Sequence, residues 1–139
     1  MARQPPRIVF CDTSVLIRYW SADDPPRAIA AADLLERDDV ELVISTGVII
    51  EAIHALRTEH DVPNPEAGNL LIDFLTRDNV RLLDADQALT VEALRWSMDS
   101  SARRIPDAIL AAAAEHAGCE AIATFDQKFA SPTVPVRLL

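Results

Sequence analysis

The sequence predicts an α/β fold, a three-layer α/β/α sandwich around a mainly parallel sheet of four to five strands. Short apolar segments rich in β-branched residues alternate with longer segments of helical periodicity, which is the order typical of β-α-β units. The chain has 139 residues, and half of them are hydrophobic. That is enough for one domain with a substantial core and too little for two. We therefore expect residues 1–139 to form a single domain.

The elements follow from local signals along the chain. Residues 7–11 form an apolar strand, of the kind that is fully buried in a parallel sheet, and residues 13–20 form a short helix. Pro26 and Pro106 suit the first turns of helices, Gly118 suits a helix end, and Pro135 suits an edge strand. The other predicted helices span about 26–37, 46–60, 66–76, 86–98 and 106–117, and the other strands span 41–45, 80–83, 121–124 and 134–138. Pro63 and Pro65 interrupt the chain between two of these helices.

The composition limits the function. A net charge of −9 argues against a basic face that holds nucleic acid by phosphate neutralisation alone. Nucleic acid remains compatible as a substrate, because divalent cations at an acidic site can bind phosphate, and an acidic chain suits a basic protein partner. No apolar stretch approaches a membrane span, and the apolar run near the N-terminus is too short for a secretory signal. We expect a cytoplasmic protein with no membrane partner.

Four acidic residues fall near the carboxyl ends of predicted strands, where open α/β sheets bind ligands. Asp12 ends the first strand, Glu51 lies about two turns into the helix after the second, Asp107 follows Pro106, and Asp126 lies two residues past Thr124. Each has an ordinary structural explanation when taken alone. Asp12 could cap a helix, and Glu51 could face water. Asp107 could be a first-turn acid that the helix dipole stabilises, and Asp126 could cap a turn. All four reach one rim of the sheet if the first and fourth strands are neighbours, which the sequence does not establish.

Carboxylates that meet at one site need cations or protons. Two of them about 4 Å apart repel by roughly 4 kcal/mol at an effective dielectric constant near 20. An all-oxygen ligand set favours Mg²⁺ or Mn²⁺, whereas the scattered histidines do not fit a zinc site. Carboxylate-bound Mg²⁺ is well suited to phosphodiester hydrolysis, since it binds the phosphate and lowers the pKa of an attacking water.

Three regions of the chain match known motifs: FCDTSVLI at 10–17, STGVIIEAIHALR at 45–57, and PDAILAAAAEHAG followed by ATFDQKFA between 106 and 130. In this order and spacing they resemble the PIN-domain ribonucleases, specifically the VapC-type toxins of toxin–antitoxin modules, over essentially the whole chain. The resemblance implies one PIN-like nuclease domain, RNA cleavage dependent on Mg²⁺ or Mn²⁺, a homodimer, and inhibition by a cognate antitoxin protein. It carries over onto Asp12, Glu51, Asp107 and Asp126 as the acidic metal site.

The expected mechanism is metal-assisted hydrolysis. Asp12 and Asp107 would bind metal directly, Glu51 would complete the shell or position water, and Asp126 would bind directly or through water. Thr124 shares a strand face with Asp126, so its hydroxyl could orient water at the site. The nearest basic candidates for holding the RNA backbone are Arg18, Arg103, Arg104 and Lys128, while Trp20 and Trp96 are expected to pack rather than to stack on bases.

Three other readings stay open. A receiver-type signalling domain would use Asp84 as phospho-acceptor, with Thr124 and Lys128 as partners, but it lacks paired acids after the first strand and leaves Glu51 and Asp107 unexplained. An aspartate-nucleophile phosphatase would use Asp12, but Ser14 stands where that loop usually has a second acid. A non-catalytic, protein-binding remnant of the fold is disfavoured by the intact acidic set.

Overall fold

The computed structural model describes residues 7–139. The strands are β1 (Arg7–Phe10), β2 (Val40–Ile44), β3 (Val80–Leu82), β4 (Ile122–Thr124) and β5 (Val136–Leu138). The helices are α1 (Thr13–Trp20), α2 (Pro25–Leu35), α3 (Thr46–Glu59), α4 (Asn64–Leu75), α5 (Gln87–Met98) and α6 (Ile105–His116). Strands and helices alternate much as the hydrophobic pattern predicts.

Each strand pair in the described part of the chain is parallel. β2 lies between β1 and β3 in one sheet, with Val9 opposite Leu42 and Val43 opposite Arg81, and β4 pairs with β5 in a second, smaller sheet. This arrangement confirms the predicted α/β class with parallel strands. Within residues 7–139 no ladder of hydrogen bonds joins β1 to β4, so the strand adjacency considered above is not formed by direct pairing.

The prediction that residues 7–11 form a fully buried strand is wrong. Ile8 is 62% exposed and Phe10 is 52% exposed, and only Cys11, just past the strand, lies in the core. The reason is topological: β1 pairs with β2 on one side, and no described strand pairs with its other side. Apolar composition therefore identified the strand but not its place in the sheet.

Prolines set the helix starts differently from the prediction in one place. Pro65 does not separate two helices but lies in the first turn of α4. Backbone N–H groups in the first turn have no partner within the helix, so the N–H that proline lacks is not needed there. Pro25 and Pro106 occupy similar positions in α2 and α6. Gly118 follows the end of α6 with a φ of 75°, which favours glycine and stops the helix as predicted.

Helix α3 connects the core to the surface that carries the site. Its buried face contributes Val48, Ile49, Ala52, Ile53 and Leu56, and the helix contacts α1, α4 and α6. Glu51 and His54 lie on the opposite, exposed face.

None of the helices described between residues 7 and 139 has the length and apolar character needed to cross a bilayer.

Gln87 ties three elements together. Its Nε2 donates to the carbonyls of Leu75 at 2.7 Å and Val80 at 2.8 Å, and its Oε1 accepts from the Leu82 N–H at 3.5 Å. We predict that Gln87→Ala lowers the free energy of unfolding by about 1–3 kcal/mol, because these partly buried backbone groups lose their partner. Urea denaturation measures this change. Gln127→Ala is the matched control at an exposed position, and an equal loss there would contradict the prediction.

Candidate active site

Asp12 combines the two roles that its position suggests. It is the N-cap residue of α1, and its Oδ2 accepts from the Ser14 hydroxyl at 2.8 Å and from the Ser14 N–H at 3.4 Å. The Ser14 hydroxyl, followed by backbone N–H groups, lowers the pKa of this carboxyl. The carboxylate also lines a surface cavity together with Glu51. Asp12 is therefore the N-cap residue of α1, and its carboxylate also borders an open surface cavity.

Glu51 is joined to the same helix start by a hydroxyl. The Thr13 Oγ1 donates to Glu51 Oε2 at 2.8 Å, across 38 positions of sequence. Because Thr13 is the first residue of α1, this bond fixes the outward face of α3 beside the N-terminus of α1. The Thr13 hydroxyl therefore lies at the acidic side chain of Glu51.

Asp107 and Asp126 are brought together by Arg104. The Arg104 Nε donates to Asp107 Oδ2 at 3.1 Å, and its Nη2 donates to Asp126 Oδ2. Asp107 is only 8% exposed, whereas Asp126 is exposed in the loop after β4. The hydrogen bond from Arg104 is the main cause that lowers the pKa of Asp126, and the bond from the Lys128 N–H adds to it.

Thr124 supports Asp126 through the backbone. Its Oγ1 accepts from the Asp126 N–H at 3.0 Å, and the Lys128 N–H donates to Asp126 Oδ1 at 2.9 Å. These bonds fix the turn that carries the carboxylate. The Thr124 hydroxyl accepts in this bond and has one proton to donate, which is the group that its predicted role of orienting water requires.

Two neighbouring surface cavities lie beside Thr13 and Glu51. One, of about 410 Å³, is lined by Asp12, Glu51, Arg18 and His60 among others, and the second, of about 660 Å³, is lined by Glu51, His54 and Arg57. Thr13, Glu51, Ala55 and Glu59 line both, so the two cavities are neighbours, and we call them together the α1–α3 hollow. Pro106 lines the second cavity, which places the residue before Asp107 on the same hollow as Glu51.

The four carboxylates lie in two pairs rather than in one cluster. Asp12 and Glu51 share the α1–α3 hollow, and Asp107 and Asp126 share Arg104. Among residues 7–139, no three acidic, histidine or cysteine side chains stand close enough to hold a metal ion. The donor set still fits Mg²⁺ or Mn²⁺ chemically, because it offers carboxylate and hydroxyl oxygens, and Arg104 shows that the second pair accepts a shared cation.

The basic and aromatic candidates take unequal roles. Arg103 stacks over the ring of Trp96 at 4.4 Å and donates to its carbonyl, so it braces α5 instead of facing the hollow. Trp20 packs edge-on against Phe74, and Trp96 packs against a small alanine cluster, which agrees with the expected packing role of both tryptophans. Arg18 does line the hollow.

The sequence analysis did not identify Arg57 and His60 as residues that line the hollow. It also did not identify the two hydrogen bonds that Arg104 donates to Asp107 and Asp126. Arg57 and His54 had a usable signal, because both lie near Glu51 at helical spacing on α3. His60 ends α3 and pairs with Asp23 at 3.2 Å, a contact between distant segments that no local pattern announces.

Asp84 has a structural task. Its carboxylate accepts from the N–H of Thr46 at 2.9 Å and from the Thr46 hydroxyl at 2.7 Å, at the start of α3. Of the partners that a receiver domain would supply, the Thr124 hydroxyl accepts from the Asp126 N–H, and the Lys128 backbone N–H donates to the Asp126 carboxylate. The geometry around Asp84 therefore accounts for this acid without phosphorylation.

A parallel α/β fold with carboxylates beyond its strand ends is compatible with an enzyme that acts on phosphate esters. The family model of the PIN domain matches residues 9–133, and the chain belongs to the PIN domain family. PIN domains are generally nucleases, so the comparison supports hydrolysis of nucleic acid. No curated protein matches the chain.

The Arg104 bridge predicts a titration shift. Without metal, Asp126 should titrate below the ordinary carboxyl value of 3.8, and Arg104→Gln should raise its pKa towards that value. Because the pKa is lowered in the folded state, the stabilisation is present above the unfolded value and is lost as the pH falls through the folded one. Carboxyl ¹³C NMR in the presence of a chelator measures both states.

Asp12 is the internal control for this titration, since Ser14 and not Arg104 lowers its pKa. Its midpoint should stay unchanged in Arg104→Gln. A variant in which Asp126 titrates as in the wild type would contradict the assigned cause.

Proposed function

We propose that the protein is an Mg²⁺- or Mn²⁺-dependent endoribonuclease, the toxin of a toxin–antitoxin system, which a cognate antitoxin inhibits. The observation that carries the proposal is the α1–α3 hollow. Glu51 lines it with Asp12 on one side and with Pro106, the neighbour of Asp107, on the other. In a PIN domain these acids are the natural candidates for the nuclease site.

The residues divide the work as follows. Asp12 and Asp107 would hold the cation directly, and Glu51 would complete its ligand set or position a water. Asp126 would hold the cation directly or through water, and Thr124, which accepts a hydrogen bond from the Asp126 N–H, would orient a water. When bound, the divalent cation neutralises phosphate charge and promotes ionisation of water. The lowered pKa of Asp12 and of Asp126 extends the pH range in which both carboxylates are ionised further into the acidic region.

The RNA backbone would follow the α1–α3 hollow. Arg18 and His60 line one of its cavities, and His54 and Arg57 line the other, so cationic or protonatable groups flank the acids on both sides. This distribution answers the objection that the chain carries a net charge of −9. Local cations and a bound metal can hold phosphate where the overall charge would not.

An antitoxin would cover the groove between α1 and α2. Its floor is formed by Val15, Ala30, Ala31 and Leu34, its rim carries Arg18 and Arg27, and its volume is about 360 Å³. Ser14, the partner of Asp12, also lines it, so a segment bound there adjoins the acidic site. Exposed apolar residues on β1, including Ile8 and Phe10, support a homodimer. A toxin acting on cellular RNA belongs in the cytoplasm.

The central test is Asp12→Asn. We predict that Mn²⁺-dependent cleavage of RNA falls by about 10²–10³-fold, the cost typical of removing one charge-stabilising group. The fold should survive, because asparagine is as good an N-cap as aspartate. RNA cleavage is followed on gels, with circular dichroism as the check on folding.

Asp33→Asn provides the matched control, since it makes the same change on the exposed face of α2. It should cleave RNA as the wild type does. Undiminished cleavage by Asp12→Asn would end the nuclease assignment at this site, and so would a wild-type protein that leaves RNA intact with Mn²⁺ present.

The proposed antitoxin groove has its own test. We predict that Ala30→Arg prevents co-purification with the protein encoded in the neighbouring reading frame, because a long cationic side chain fills the groove, while RNA cleavage persists. Ala88→Arg makes the same change on an exposed part of α5 and should retain the partner. Retention by Ala30→Arg would rule out this groove as the docking surface.

A further inference from the structure

We propose that Arg104 is an internal counter-cation of the site: its guanidinium holds Asp107 and Asp126 together and competes with the divalent cation for both carboxylates. This inference rests on the proposed metal-dependent function. It adds that, before metal binds, the carboxylates of Asp107 and Asp126 are already neutralised by an arginine. Metal binding is instead an exchange of one cation for another.

The geometry supports a shared position. Arg104 uses two different nitrogens, Nε and Nη2, for two carboxylates that come from α6 and from the loop after β4. A planar guanidinium can bridge two separate carboxylates in this way, whereas an ammonium acts as a single point charge. Joining acidic ligands from separate elements is also the task assigned here to the metal.

Burial explains why a cation is required. Asp107 is 8% exposed, and a buried carboxylate without a partner is strongly destabilising. Within residues 7–139, Arg104 is the only side chain that forms an ion pair with Asp107. Arg104 therefore supplies the cation that accompanies this carboxylate.

The Arg104 guanidinium has a path into solvent, away from the two carboxylates. Arg104 is the N-cap residue of α6, its side chain makes no capping hydrogen bond, and that side chain is 43% exposed. It can swing into solvent without unwinding the helix. A divalent ion at the same distance doubles the Coulomb attraction to each carboxylate, so sufficient metal displaces the arginine.

Arg103 supplies the comparison. It is the adjacent arginine, but its guanidinium is held over Trp96 and makes no ion pair with Asp107 or Asp126. Replacing it removes the same charge from almost the same place. Any effect of net charge on metal affinity should therefore appear equally in both arginine variants.

The experiment measures Mn²⁺ binding by isothermal titration calorimetry, without RNA, for the wild type, Arg104→Gln and Arg103→Gln. We expect Arg104→Gln to bind Mn²⁺ about tenfold more tightly, within the usual range of coupling between two ligands. Arg103→Gln should bind as the wild type does. In parallel, Arg104→Gln should melt at a lower temperature without metal and gain more from Mn²⁺.

Affinity in Arg104→Gln that equals or falls below that of the wild type overturns the inference, while the metal site itself stands. Equal tightening in Arg103→Gln also overturns it, since that would be an effect of net charge. Absence of Mn²⁺ binding to every variant at millimolar concentration overturns the proposed function together with the inference. Should Arg104→Gln fail to fold, Arg104→Lys keeps the charge but loses the bridge, and unchanged affinity there is equally fatal.

Discussion

The buried negative charge of Asp107 is the constraint around which the site is arranged. Pro106 favours a helix start at this point, and the apolar face of α6, with Ile105, Ala108 and Ile109, draws the first turn into the core. The carboxylate is carried inward with that turn. The helix N-terminus and Arg104 offset its charge. Because the same guanidinium also reaches Asp126, compensation of one buried acid fixes the position of a second, exposed one.

The other pair of acids obeys a different balance. Asp12 and Glu51 are exposed, so water screens their charges, and neutral hydroxyls from Ser14 and Thr13 are enough to orient them. One pair of acids is thus oriented by neutral hydroxyls, and the other is held by an arginine. In the proposed metal-bound state, a cation that joined the two pairs would displace little from the first and one guanidinium from the second. The cost of assembling that state would therefore be concentrated at Arg104.

The sequence predicts the elements of this fold better than their relations. Proline and glycine positions located the starts of α2 and α6 and the end of α6, because these signals act within one turn. The exposed position of Glu51 on α3 was one of the readings that the sequence left open. The exposure of β1 was not, since an apolar run does not reveal which strands will flank it. The Arg104 bridge was also hidden, because Asp126 is 22 positions away and no local pattern encodes that contact.

The acidity of the chain and its proposed substrate are compatible once distance is considered. Beyond about 8 Å, salt screens most of the repulsion between RNA and the net charge of −9. In the proposed complex, RNA would contact the α1–α3 hollow, where Arg18, Arg57, His54 and His60 flank the acids. Binding would then depend on a few short contacts and on a cation between the carboxylates. Such a protein would gain little from long-range attraction, so its selection of RNA would have to come from the shape and chemistry of the hollow itself.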